Sequence, residues 1–355
     1  MTAQGARAQI PPTQSTTVSE DALAVLAPIP HSPNNPLTQR SREYAGVSVG
    51  DWVVYPIAAF GGGFDSNVVW SSSQPVAAVA TKVAPSITAT NETAEHKTVL
   101  FGDAEVRVFP TVGEADSLSG RVGATHVWNV APDLTIKAWG EYDHVSTAIG
   151  AGAVVTPWGV SNAVAPLTDD RLTASISVKK TFGRAFVGVA YETTRDSYSS
   201  LKTSSGWVSE RYRDSWVNAV TVRGGVWVSP EVYAFAEATG NLRDYIEQGY
   251  TSKGYRVVAG VGSDRISLFR GEVFGGVQKQ TFDQPLPYTD TSPVIGGKLF
   301  WYPRRDITVR AQVDETFTDA NLATPGNPNG HPARSTSAQL SVEYLMLRNL
   351  MLTAR

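Results

Sequence analysis

Asp306 to Phe317 reads DITVRAQVDETF. Ile307, Val309, Ala311 and Val313 fall on one parity, while Thr308, Arg310, Gln312 and Asp314 fall on the other. That is the period-two signature of a strand with one apolar and one charged face. Two kinds of fold contain such a strand. In a soluble sandwich the apolar face meets a second sheet; in a membrane barrel it meets lipid, and the charged face lines a lumen.

Composition narrows the choice little by itself. The chain has 355 residues, with 30 Lys+Arg against 33 Asp+Glu and a net charge of -3, so it lacks the basic excess of a nucleic-acid partner. Cysteine is absent, which excludes disulfide frameworks and thiolate metal sites. No stretch approaches the ~18 consecutive apolar residues of a spanning helix. The nearest, Trp52 to Phe60, contains Pro56 and runs into Gly61, Gly62 and Gly63. A spanning strand needs only ~9–11 residues. Near the start, Gly5-Ala6-Arg7-Ala8-Gln9 has the Ala-x-Ala form of a secretory cleavage site, without the apolar segment that precedes one.

Residues 1–46 are rich in Thr, Ser, Gln and Pro, and the expectation is a mobile N-terminal tail carrying a signal-peptide remnant. From Val47 onward alternating strands follow one another: 51–65, 77–91, 97–109, 117–130, 134–147, 168–182, 184–197, 212–228, 231–245, 253–263, 266–282, 293–303, 306–319, 335–346 and 350–355. Their connections alternate in length. Short ones such as Ala131-Pro132-Asp133, Phe182-Gly183-Arg184, Ser229-Pro230-Glu231 and Leu347-Arg348-Asn349 carry turn chemistry. Long polar loops lie between them, at 148–167, 198–211, 246–252, 283–292 and 320–334. Short turns at one rim and long loops at the other are the habit of an outer-membrane barrel, which a Greek-key sandwich has no reason to keep.

One parity collects small and medium apolar residues, for example Leu100, Gly102, Ala104, Val106 and Val108, or Ala338, Leu340, Val342 and Tyr344. Ala, Gly and Val fill the space between two packed sheets poorly, whereas fluid lipid tails conform to whatever they meet. The other parity collects charge: Asp103, Glu105, Arg107, Arg121, Lys137, Glu141, Asp143, Arg171, Lys179, Glu192, Arg223, Glu237, Arg256, Arg270, Glu272, Lys298, Arg310, Asp314 and Glu343. These are the candidate lumen-lining residues. Their signs nearly balance, so they favour neither anions nor cations, and they can line a polar pathway or brace the wall as cross-strand ion pairs. Aromatic residues near strand ends, Trp52, Tyr55, Trp128, Trp216, Trp227, Tyr233, Trp301 and Tyr302, suit the two interfacial girdles of a barrel.

Four stretches carry a family likeness: GDWVVYPIAAFGGGFDSNV (Gly50 to Val68), GYRVVAGVG (Gly254 to Gly262), GEVFGGVQKQTFD (Gly271 to Asp283) and KLFWYPRRDITV (Lys298 to Val309). From Val47 to its end the chain resembles the putative β-barrel porin 2 family of Gram-negative outer membranes. The resemblance implies an all-β, antiparallel up-and-down transmembrane β-barrel at 47–355 in contact with outer-membrane lipid. It also implies passage of a saccharide or small hydrophilic solute, since members are often met near exopolysaccharide genes. About fifteen strands are visible where an even number of sixteen or more is expected. The chain therefore reads as C-terminally truncated, with an unpaired edge strand.

Chemistry has few candidates. His144 stands in YDHVS beside Asp143, but neighbours in a strand point to opposite faces, so the two cannot share one lumenal cluster. His126 falls on the apolar parity, and His31, His96 and His331 lie in tail, turn and loop. No His/Asp/Glu spacing is that of a metal site, and no cofactor is expected. Three functions stay open: a porin-like channel for passive passage of solutes, a plugged barrel acting as a scaffold for exopolysaccharide or envelope machinery, and, through His144, a barrel hydrolase.

Overall fold

A computed structural model describes residues 46–69, 75–147, 154–156, 159–161, 163–203, 206–246, 251–266, 268–283, 288–304, 306–317, 334–347 and 350–355. The expected N-terminal tail, with its cleavage site and His31, lies outside them, as does His331. The strands are β1 (Val47–Val49), β2 (Trp52–Asp65), β3 (Ala78–Glu92), β4 (His96–Val108), β5 (Ser117–Ala131), β6 (Leu134–Thr147), β7 (Val154–Thr156), β8 (Gly159–Ser161), β9 (Leu167–Phe182) and β10 (Ala185–Tyr198). They continue with β11 (Leu201–Thr203), β12 (Gly206–Val208), β13 (Ser215–Trp227), β14 (Val232–Tyr245), β15 (Ser252–Ile266), β16 (Phe269–Phe282), β17 (Tyr288–Arg304), β18 (Ile307–Phe317), β19 (Arg334–Leu347) and β20 (Leu350–Ala354). Sixteen of them form one sheet in chain order, while β7-β8 and β11-β12 are separate two-stranded hairpins. Among the described residues no helix is long and apolar enough to cross a membrane.

The fifteen expected strands all appear, with small shifts at their ends, and the up-and-down order follows from the alternating connections. The sixteenth member of the sheet is β1, a short segment that pairs with the start of β2, Val49 opposite Trp52. β17 begins at Tyr288 rather than near 293, because Tyr288 to Ser292 continue the ladder against β16. The loops after β6 and β10, read as irregular from their polarity, each carry a hairpin. In the second, Leu201 is fully buried, which gives that hairpin an apolar anchor. β1 and β20 are the edges of the sheet.

Direct cross-strand partners point to the same side of a sheet, so the registers sort every residue onto one of two faces. On one face Ile136, Val178, Val189, Val222, Ala238, Val257, Val277 and Pro293 stand opposite one another in sequence across eight neighbouring strands. Val178, Val189, Val222, Val257 and Val277 keep 37–49% of their surface exposed, although each is flanked by apolar partners. On the other face the parallel row is Lys137, Ser177, Ala190, Thr221, Thr239, Arg256, Gln278 and Ser292. Most of that row is buried.

The polar face is the concave one. Strands lie ~4.8 Å apart, yet Arg223 of β13 reaches Glu272 of β16 at 2.6 Å and Gln280 of β16 reaches Asn241 of β14 at 3.0 Å. Side chains two or three strands apart meet only if the sheet curls toward them. Aromatic rings lie on the curled face over glycines directly opposite them: Phe101 on Gly123, Phe186 on Gly225, Tyr233 on Gly262, Phe235 on Gly260 and Phe274 on Gly296. A Cβ on Gly225 would lie 2.5 Å from the Phe186 ring, so that ring can lie flat on the wall only because the partner lacks a side chain.

The aromatic residues divide between the faces. Trp52, Trp128, Trp216 and Trp301 share the outward parity, with Phe269 stacked on Trp301 at 6.0 Å near the short-turn rim. Tyr55, Trp227, Tyr233 and Tyr302 belong to the inner face, which corrects the girdle expected from their positions near strand ends. Tyr233 is fully buried and forms a cluster with Phe186 and Phe235.

Candidate functional site: the charged inner face

Every charged residue named as lumen-lining lies on the concave face by register: Asp103, Glu105 and Arg107 of β4; Arg121 of β5; Lys137 and Glu141 of β6; Arg171 and Lys179 of β9. Continuing round the sheet come Arg223, Glu237, Arg256, Arg270, Glu272, Lys298, Arg310, Asp314 and Glu343. Within this set the structure resolves two environments.

On the β3 to β10 side the charges form a ladder. Asp103, Arg121, Asp143, Arg171 and Asp196 are direct partners across five neighbouring strands, so sign alternates at every step. Arg121 Nε donates to Asp103 Oδ1 at 2.6 Å and Arg171 Nε to Asp196 Oδ1 at 2.5 Å. Glu105 accepts from Arg107 at 2.8 Å and also pairs with Lys82. Opposite charges facing each other are worth roughly 0.2–1 kcal/mol per pair in a sheet. From β3 to β5 these side chains remain solvent-accessible, with Arg121 half exposed.

From β10 to β18 the same face is filled. Arg223 sits between Glu237 at 3.2 Å and Glu272 at 2.6 Å, with its guanidinium carbon 3.8 Å from the centre of the Phe235 ring. Tyr233 Oη donates a very short hydrogen bond to the same Glu272 oxygen. Arg256 lies over Phe274 at 4.9 Å and 3.8 Å from Asp314, and Lys298 and Arg310 both approach Phe300 at 5.7 Å. Arg223 and Arg256 are almost wholly buried. These cations therefore prop aromatic rings and carboxylates against each other rather than projecting into water.

At the long-loop rim above the ladder, neighbouring loops touch. Val164 N donates to Lys202 O at 2.9 Å, and Lys202 Nζ meets Glu114 Oε1 at 3.0 Å, which ties together three loops. Beneath them Arg213 covers the Tyr198 ring at 4.1 Å. Glu210 is fully buried, accepts from Tyr212 Oη at 3.0 Å and lies 3.7 Å from Arg213. Burial pushes its carboxyl above the usual value, with Arg213 acting in the opposite direction.

Several participants were not in the sequence-derived set. Lys82, Asp196 and Arg243 share the inner parity with charges that were, and parity alone would have found them. Glu210 and Arg213 lie in a loop with no period to read. His144 Nδ1 lies 2.8 Å from Asp170 Oδ1, to which Tyr142 Oη also donates at 2.6 Å. This trio faces outward, and Asp143 faces inward on the ladder, as the alternation requires. His96 is the first residue of β4 rather than a turn residue, stacked on Trp128 at 5.7 Å. Among the described residues no three His, Asp or Glu side chains are grouped to hold a metal.

Residues 41–355 match the family described as putative beta-barrel porin 2. The chain belongs to that family. It is thus an outer-membrane β-barrel of the Gram-negative type, in contact with membrane lipid. No curated sequence matches it. Among solved structures the chain is similar to the ferric enterobactin receptor PfeA of Pseudomonas aeruginosa, at 11% identity and a TM-score of 0.41 over 83% of this chain and 52% of that one. It is similar to the ferric citrate transporter FecA at 11% identity, TM-score 0.47, over 82% and 49% of the two chains. A bacterial polysaccharide outer membrane secretin matches at 11% identity, TM-score 0.42, over 82% of this chain and 98% of that one. The porin-family chain spans about half the length of the two receptors.

Proposed function

We propose that this barrel passes small hydrophilic solutes, saccharides included, by diffusion along the β3 to β5 side of its inner face. The reading rests on one contrast. The charges of β3 to β5, Lys82, Asp103, Glu105, Arg107 and Arg121, pair with one another yet stay open to water, while those from β10 to β18 are taken up in packing. Water-accessible charges of alternating sign replace part of a solute's hydration without trapping one ion, which is what a weakly selective pathway requires. Solute size is then set by the aromatic and arginine cluster on the facing wall.

The test is conductance of the full chain in planar bilayers. Steady single-channel current, with cation and anion permeabilities within a few-fold of each other, is expected. That same cluster, Phe186, Tyr233 and Phe235 with Arg223, favours a second reading, a plugged barrel with a scaffolding role. Absence of any steady current overturns passage and leaves the scaffold.

A further inference from the structure

The outward face carries a feature that neither lipid contact nor the inner ladder accounts for. A groove of about 560 Å³ is lined by Asn218, Gly240, Leu242, Lys253, Tyr255 and Lys279. The registers put these six on the face opposite the ladder, in two adjacent rows: Asn218, Leu242 and Lys253, then Gly240, Tyr255 and Lys279. Lys253 is the second residue of β15 and Lys279 the fourth from the end of β16, so both stand next to long loops, at the outer rim. The next row toward mid-membrane is Val222, Val257 and Val277. The floor is open because Gly240 has no side chain, and a Cβ there would meet nothing within 4 Å.

We propose that this groove binds the phosphorylated headgroup of an outer-leaflet glycolipid. Neither lysine forms an ion pair among the described residues, and the nearest acids by register are Asp244 and Asp283, each diagonal to Lys253. Two ammonium groups held where water gives way to lipid attract an anion strongly. Tyr191 Oη donates to Asn218 Oδ1 at 2.7 Å, which orients the Asn218 amide nitrogen as a further donor. The valine row below suits acyl chains. A phosphate with a sugar and lipid tails uses all three parts of the groove, whereas free phosphate uses only the first.

The experiment titrates the detergent-folded full chain with a bis-phosphorylated, acylated glucosamine disaccharide and counts bound lipid by native mass spectrometry. The double variant Lys253→Gln/Lys279→Gln should bind about 30-fold more weakly, from about 1 kcal/mol per lysine near a charged interface. Gly240→Leu, which fills the groove and keeps both lysines, should weaken binding likewise and covers the case in which the double variant fails to fold. The dephosphorylated lipid should bind wild type only as well as the double variant binds the phosphorylated one. Equal binding by wild type and variants, or by both lipids, overturns the proposal, as does displacement by millimolar inorganic phosphate. These variants leave the inner face untouched, so their outcome is independent of conductance.

Discussion

If the valine row faces acyl chains, a cation placed in its centre must be expelled from or dragged into lipid. Val222 is the eighth of 13 residues in β13, one past the strand's middle at Thr221. With a rise of ~3.4 Å per residue and a tilt of ~45°, it sits roughly 2–3 Å from mid-depth. Val222→Arg should therefore cost about 2–4 kcal/mol, roughly a 30- to 700-fold loss in the folding equilibrium. Trp216, on the same strand and face, is five residues from the strand's middle toward the loop rim and lies roughly 12 Å from mid-depth by the same geometry. Trp216→Arg should cost only about 0–1 kcal/mol from lipid exposure. Ser86→Arg puts the same side chain on the inner face directly opposite Asp103, and should change stability by no more than about 0.5 kcal/mol. The assay is urea unfolding of the vesicle-embedded chain followed by tryptophan fluorescence. Equal penalties at Val222 and Ser86, or a larger one at Ser86, would refute the assignment of faces on which everything else depends.

Other consequences are as direct. Arg223→Ala strands Glu237 and Glu272 in the packed wall, and the same urea titration should register a loss of about 3–5 kcal/mol. Gly262→Ala drives a methyl into the Tyr233 ring and should cost about 1–3 kcal/mol, whereas Gly240→Ala on the outer face should be near neutral. Because burial raises the Glu210 carboxyl, the folded loop holds a proton that the released loop gives up. The stability this contributes is complete below the ordinary Glu value and disappears as pH rises through the raised one. Hydrogen-exchange protection at residues 209–213, taken against the intrinsic rate at each pH, should accordingly fall across that window, and Glu210→Gln should abolish the fall.

Much of this was legible in the sequence because a membrane strand writes its two environments into alternate letters. DITVRAQVDETF assigned Arg310 and Asp314 to the polar face, and the structure puts them there. The short-turn and long-loop alternation gave the up-and-down order before any pairing was known. The girdle was misread in part because position near a strand end was weighed above parity. Tyr233 lies four residues from Glu237, which by itself places both on one face. What could not be read depends on curvature and on contacts far apart in sequence. Arg223 meets Glu272 across three strand spacings only after the sheet has curled, and Glu210 is buried beside Tyr212 and Arg213 in a loop with no period to read. The aromatic-over-glycine pairs are likewise invisible until register is fixed.

The uneven filling of the interior has a mechanical consequence. From β10 to β18 the wall is propped by rings and guanidinium groups wedged between distant strands, while from β2 to β5 the side-chain contacts join only neighbouring strands. Thermal breathing of the cross-section must then gather in one arc, so the bore changes by flexing its thin side against a stiff keel.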